Sequence, residues 1–501
     1  TCIAHAAREL GRPVKWLDER STSFLSDSQG RAQLIHAELA LDAEGKFLAV
    51  RLSGYGNLGA YITGVAPGPL SLNTGKNLAS VYRTPLLGVD IKTVLTNTTL
   101  MGAYRGAGRP EANYYMERLI DAAADEMGIS RVTLRKRNFI KPSQLPFPAA
   151  SGVTYDSGDF AGVFQKALEI SDYENFAKRK KESRKNGKLR GIAVGSYLEV
   201  TAPPSGELGK ITFEPDGSVK LTTGTLDYGQ GHATPFAQVL SDQLGVPFEN
   251  ITLEQGDSDL VRFGNGTGGS RSITATGQAI VEASALVVEK GKKAAAHMLE
   301  ASEADIEFGQ GRFTIAGTDR SIGIMELAER MRAGKMPEGA PDTLDVDHAT
   351  KETASTFPNG CHVAEVEIDP DTGVTRIVRY SAVNDFGVVV NPMIVAGQLH
   401  GGVAQGIGQA LMEEVSYDAS GQPITGSFMD YALPRAGDVP PMEVGDHPSP
   451  AKSNPLGTKG CGEAGAIGAS AAVINAITDA IGNNKLEMPA TPDRVWHAIH
   501  G

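Results

Sequence analysis

The sequence predicts an α+β protein built from more than one domain. Strand-like and helix-like segments are mixed without regular βαβ alternation. Five times a glycine-rich loop runs into a helix. The chain, 501 residues long, exceeds what one hydrophobic core organises.

Taken in order, "TCIAHAARELGRPVKWLDER" reads as an amphipathic helix running into a strand, without an initiator methionine or a helix lead-in. It suggests a fragment, a processed product or one piece of a split protein. Residues 33–62 alternate in polarity and predict strands turning at Ala43–Gly45. "GVDIKTVLTNT" is a further strand. It leads through "LMGAYRGAG" into a helix from about Glu111 to Met127, with Pro110 where a missing N–H costs least. The proline- and glycine-rich residues 141–160 mark a boundary, giving domains at 1–145 and 155–501. A helical stretch to about 185 follows. Then come "RGIAVGSYLEVT" and "GKITFEPDGSVKLTTGT", the latter turning at Asp216–Gly217. A second strand pair turns at Asp371–Gly373. Glycine loops lead into helices in "LDYGQGHATPFAQVLSDQLG", "FGNGTGGSRSITATGQA", "GQLHGGVAQGIGQALMEE" and "LGTKGCGEAGAIGASAAVINAITDAIG". No tandem repeat of fixed period is present.

Composition narrows the classes. A net charge of −12 leaves no basic footprint for nucleic acid; the run Lys178–Arg190 reads as a solvated helix end and loop. Cys2, Cys361 and Cys461 form no zinc or iron–sulfur spacing and fit a reducing, cytoplasmic setting. Neither a membrane span nor a secretory signal is expected. The 59 glycines, above the usual share, read as loop residues where backbone wraps an extended ligand.

Each glycine-loop–helix junction points free N–H groups and the positive end of a helix dipole at one place, which makes an anion site. Five of them favour a large phosphate-bearing ligand over plain connectivity. The P-loop pattern is absent, and "GYGNLG" at 54–59 lacks the βαβ setting of a dinucleotide fold. Polar residues at the loops are Gln230, Ser270, Arg271, Ser272 and Gln405; the serines also suit a helix N-cap. Glu463, alone among glycines and alanines, reads either as an acid on a helix dipole or as a general base in a dry pocket.

"AYRGAGRPEANYYMERLID", "DYGQGHATPFAQVLSDQLG", "GGSRSITATGQA", "VNPMIVAGQLHGGVAQGIGQAL" and "KGCGEAGAIGA", in that order, resemble the large subunit of molybdenum hydroxylases, the xanthine oxidase, aldehyde oxidase and aerobic carbon monoxide dehydrogenase family. The resemblance spans essentially the whole chain. It implies two elongated molybdopterin-binding domains of mixed sheets and helices, the N-terminal part of the first not being on this chain. It implies a molybdopterin cofactor, in bacteria usually the cytosine dinucleotide, whose dithiolene holds molybdenum with no protein ligand. It makes Glu463 the base that activates a water-derived oxygen against an electron-poor carbon. Gln230 and Gln405 look like cofactor-contacting glutamines, with Gly231, Gly462 and the loop Gly269–Ser270–Arg271–Ser272 beside them. Arg105 matches an arginine next to the metal centre, and Tyr104, Gly106, Ala107 and Asn73 fall in the substrate pocket. Because this chain has no cysteine set for clusters, the resemblance implies an iron–sulfur small subunit, an FAD medium subunit, a chain carrying the missing N-terminal part, and a dimer of heteromers.

Departures are informative. Copper-containing carbon monoxide dehydrogenases carry a cysteine where Gly106 stands, and xanthine oxidoreductases a stacking phenylalanine at Ala107 and an arginine near Asn73. The expected activity is therefore hydroxylation of an N-heterocycle or aldehyde rather than oxidation of CO or purine. A truncated, non-catalytic relic that binds a partner is the alternative, and a nicotinamide-dependent dehydrogenase a distant third.

Overall fold

A computed structural model describes residues 2–62 and 64–501. Thr1, where the sequence reading starts its first helix, lies outside them. Strands β1 (Gln33–Leu41), β2 (Phe47–Gly59) and β3 (Leu86–Leu95) form a three-stranded sheet, β1–β2 antiparallel and β2–β3 parallel. The predicted turn forms because Asp42 Oδ1 accepts from the backbone N–H of Glu44 (3.1 Å) and Lys46 (2.8 Å).

Helix α1 (Arg109–Met127) begins two residues before the expected Glu111. Pro110 supplies the fixed φ of a first turn, Glu111 Oε2 accepts from Gly108 N–H at 2.9 Å, and Gly128 (φ 64) closes the far end. The predicted helical stretch to about 185 is two helices, Phe160–Ile170 and Phe176–Lys185, separated by Ser171 and a 3₁₀ turn. In the basic run that follows, Arg179 and Arg190 pair with buried Glu365 at 2.9 and 2.6 Å. Arg179 thereby ties the helix to a sheet and Arg190 pairs within that sheet, so the run is not a wholly solvated face.

β4 (Leu189–Leu198) is followed by the hairpin β5 (Leu208–Phe213)–β6 (Val219–Thr223), by α2 (Ala233–Leu244), β7 (Ile251–Glu254), α3 (Ser272–Leu299) and β8 (Val346–Ala349). Then come β9 (Asn359–Ile368), β10 (Thr375–Asp385), α4 (Pro392–Leu411), β11 (Met442–Asp446) and α5 (Ala464–Ile481). Two four-stranded sheets result, in the orders β8–β5–β6–β7 and β11–β10–β9–β4. In each, three strands are joined antiparallel and one edge strand is parallel. This mixed pairing is the predicted α+β architecture.

Three main cores follow. One packs β2, α1 and Phe160–Ile170 against β4 and β9. Its members come from both sides of residues 145–155. A second joins α2 and α3 to the β8–β5–β6–β7 sheet, and the third joins α4 and α5 to the other sheet. α5 is the central spine. It is the one helix among the described residues long and apolar enough to cross a membrane, but every residue from Ala464 to Thr478 is buried in protein.

Many glycines do something other than line loops. A Cβ on Gly191 of β4 would stand 2.0 Å from Ala476 O of α5, and one on Gly402 of α4 would stand 2.9 Å from Gly465 Cα. The expected loop in "GQLHGGVAQGIG" is itself helix, because Pro392–Leu411 is continuous. Its glycines let two helices cross at backbone contact.

Candidate active site

Four helices start at one place. α2, α3, α4 and α5 all open onto a cavity of about 500 Å³ lined by residues of 228–232, 267–273, 386–398 and 458–463, together with Arg105. Only α4 is capped by its own N-cap side chain, Asn391 Oδ1 accepting from Ile394 N–H at 3.0 Å. His232, Arg271 and Glu463, which precede the other three, give their helices no such cap. The N-termini of three helices without a side-chain cap therefore converge, and their dipoles add at the cavity.

The loops are held open from outside the cavity. Asp227 accepts from the N–H of Gly229 (2.7 Å), Gly231 (3.3 Å) and His232 (2.8 Å), which fixes the loop bearing Gln230. Burial opposes ionisation of Asp227, but these donors outweigh it and hold its carboxyl below the usual range. Gln230 accepts from Tyr228 N–H, leaving its NH₂ to face the cavity. Arg271 donates to Ser205 Oγ at 3.0 Å and Asn265 O at 2.9 Å, and Ser272 Oγ meets Thr267 Oγ1 at 3.2 Å. A Cβ on Gly229 or Gly268 would meet nothing within 4 Å, whereas one on Gly460 would stand 1.7 Å from Ser270 O. Space is left toward the cavity, and backbone is packed tight behind it.

Arg105 clamps two of the walls. Its Nε donates to Gly462 O at 2.6 Å, and its Nη2 to Gln398 O (3.0 Å) and Oε1 (2.9 Å). Glu463 donates its backbone N–H to Ser270 Oγ at 3.1 Å. Its Oε2 is buried without a hydrogen-bond partner, and Arg109 Nη1 lies 3.8 Å away. A buried carboxylate with one uncommitted oxygen, facing a cavity and near one cation, has the form of a general base. Lys459 is spent on Asp385 at 2.7 Å. Burial and neighbouring Glu199 push the Cys461 thiol up to about 12, so it stays protonated at neutral pH.

Arg105, Gln230, Gly269, Ser270, Arg271, Ser272, Gly462 and Glu463 thus line one cavity, with Gly231 in the Gln230 loop. The other candidates lie elsewhere. Gln405 sits within α4 beside the Tyr104 hydroxyl. Tyr104 lines a neighbouring cavity of about 600 Å³, its ring 4.6 Å from the Arg31 guanidinium. Asn73 lines a third cavity and donates to Ala107 O at 2.9 Å. Gly106 and Ala107 form the turn before α1. Sequence reasoning missed Gln398, Arg109 and Glu199. Gln398 carries a usable signal, an amide between glycine and leucine in the same glycine-rich segment as Gln405.

Convergent helix N-termini, a free glutamine amide, two arginines and close-packed glycines suit a ligand with phosphates and an extended organic body. Among the described residues no cluster of three or more His, Cys, Asp or Glu could hold a metal ion.

Comparison with known proteins agrees. Residues 1–139 and 166–440 each match a molybdopterin cofactor-binding domain model. The chain is 36% identical over 99% of its length to the 6-hydroxypseudooxynicotine dehydrogenase complex subunit gamma of Paenarthrobacter nicotinovorans. It is 34% identical over 99% of its length to the nicotine 6-hydroxylase large subunit of the same organism. It spans 64% and 63% of those relatives. The solved quinoline 2-oxidoreductase of Pseudomonas putida 86 superposes with a TM-score of 0.93 at 33% identity, covering 100% of this chain and 66% of that one.

Proposed function

The chain belongs to the molybdopterin cofactor-binding family, as a large-subunit chain of the molybdenum hydroxylases, and from that premise we propose that it hydroxylates an electron-poor carbon of an N-heterocycle, or of an aldehyde, with oxygen taken from water. The observation that carries this is the Glu463 carboxylate, which lines a cavity suited to a phosphate-bearing cofactor and has no donor of the chain on its buried Oε2. When bound, molybdopterin supplies the two-electron redox centre.

The chain's residues divide the remaining work. The starts of α2 and α3 and the Gly462 loop ahead of α5 would hold phosphate, and the Gln230 amide would donate to the cofactor's organic body. The dinucleotide form proposed is the cytosine one. Glu463 takes the proton from the water-derived nucleophile as it attacks the substrate carbon. Arg105 keeps Gly462 and Gln398 fixed on either side, so the base starts in position. Iron–sulfur and FAD groups on partner subunits receive the electrons, because this chain's three cysteines cannot assemble a cluster.

Substrate class rests on the turn at 105–107. Gly106 has φ 96, and a Cβ there would stand 2.4 Å from Pro110 Cγ. A cysteine at that position is sterically excluded, which disfavours CO oxidation. N-heterocycles are favoured over aldehydes because two of the relatives above are named for nicotine and quinoline.

Turnover of N-heterocycles by the purified assembly in isotopically labelled water tests the proposal. Label in the hydroxylated product, lost together with activity in Glu463→Gln, supports it. Full activity in Glu463→Gln, or product oxygen drawn from dioxygen, refutes it.

A further inference from the structure

Glu463 is not the only carboxyl at the cavity wall. Glu199 follows the last residue of β4 and is completely buried, and neither of its oxygens receives a hydrogen bond at standard geometry. It adjoins both the Glu463 carboxyl and the Ser270 hydroxyl. Two ionised carboxylates have no donor to offer each other, which is why Glu199 and Glu463 Oε2 are both left without partners. A single proton between them supplies the donor. We propose that Glu199 is a positioning residue, a carboxylic acid that holds a proton toward Glu463 and so orients the base. This rests on the reading of Glu463 as the base.

The charges nearby fit one proton for two carboxyls. Arg109 is 3.8 Å from Glu463, but its Nε and Nη2 are committed to Val200 O (2.9 and 2.8 Å) and its Nη1 reaches Gly106 O at 3.3 Å. Arg105 faces the pair from the other side, with its Nε and Nη2 already spent on Gly462 and Gln398. Cys461 and Tyr197, the remaining titratable neighbours, are both pushed upward by burial and by Glu199, so both are neutral. Burial first, then the Glu463 charge, hold the Glu199 carboxyl well above its usual range against the pull of Arg109. Two carboxyls in one dry site cannot both ionise at neutral pH, and the more deeply buried one keeps the proton.

The sign of the stability effect is diagnostic. A carboxyl whose folded-state value is raised contributes stability that is present below its unfolded value and lost as pH rises. Replacing Glu199 by glutamine, which is neutral at every pH, removes that loss. The melting temperature of Glu199→Gln, relative to the parent assembly, therefore rises with pH from about 5 to 8. A relative melting temperature that falls with pH would mean that Glu199 is an ionised partner of the arginines, and would overturn the proposal.

Infrared spectroscopy of the same folded protein gives a second readout. A protonated-carboxyl C=O band at neutral pH should vanish in Glu199→Gln; a spectrum unchanged by that substitution contradicts the assignment. If Glu199→Gln does not fold, Glu463→Gln should shift the same band, and an unshifted band overturns the pairing. In turnover, Glu199→Ala should move the acid limb of kcat/KM upward, while Glu199→Gln, which restores a donor, returns it toward the parent position. An acid limb unmoved in Glu199→Ala refutes the positioning role. Failure of the base reading shows itself differently, as full turnover in Glu463→Gln with the carboxyl band intact.

Discussion

At the scale of single residues, the arrangement around Glu463 separates chemistry from support. Its side chain lines the cavity with Oε2 buried in the wall beside Glu199, its backbone N–H is tied to Ser270, and Arg109 stands just beyond hydrogen-bond reach. Glu463→Gln keeps the volume and removes the basicity, so kcat should fall by about 10²–10⁴ with cofactor content unchanged; steady-state rates and elemental analysis check both halves. Arg105→Ala removes the donors to Gly462 O, Gln398 O and Gln398 Oε1 and should cost about 1–3 kcal/mol, read by chemical denaturation. His362 offers a pH test remote from the chemistry. Burial lowers its value to about 4, Nδ1 meets the Tyr380 hydroxyl at 2.7 Å, and Nε2 has no partner. Its folded value lies below its unfolded one, so its contribution is complete above about 6.5 and is lost as pH falls toward 4. His362→Gln should flatten acid unfolding in that window, by on the order of 3 kcal/mol at its foot. Glu463 stood out in the sequence because a lone carboxylate among glycines and alanines demands an explanation. Glu199 did not, since it ends the run "GIAVGSYL" like any residue leaving a strand and meets Glu463 only through the fold.

At the scale of elements, the site is an intersection of helix starts. All five predicted glycine-led segments contribute to the same cavity, the first through Arg105, but not all by loop geometry. The segment at 397–406 is already helical, and its glycines serve the crossing of α4 with α5. Composition alone could not separate these cases, because glycine is called for equally by a left-handed turn and by close backbone contact. Gly402→Val is the discriminating substitution. With Gly465 Cα 2.9 Å from the new Cβ, overpacking should destabilise by about 1–3 kcal/mol in thermal unfolding. A change at a true loop glycine facing open space, such as Gly268→Ala, should leave stability nearly untouched. The hairpins were legible at their turns: Asp42 and Asp216 accept within theirs, and Asp369 accepts from Asp371 N–H at the turn Asp371–Gly373. Which strand pairs with which was not, because β4 joins β9 and β5 joins β8 across long stretches of chain.

At the scale of the whole molecule, the two sheets and the α5 spine bring residues from 105 to 463 onto one cavity. The chain spans about two thirds or less of the relatives it matches, and its proposed electron acceptors are partner subunits. The catalytic account therefore stands or falls on the assembly as isolated from cells that make molybdopterin. The molybdenum-to-chain ratio of that assembly is the most direct measurement, taken for the parent protein and for Glu463→Gln side by side. The account predicts near-equimolar molybdenum in both, since Glu463 acts on substrate and does not hold the cofactor. A parent assembly without molybdenum would contradict it, and leave a chain that folds around an unused site.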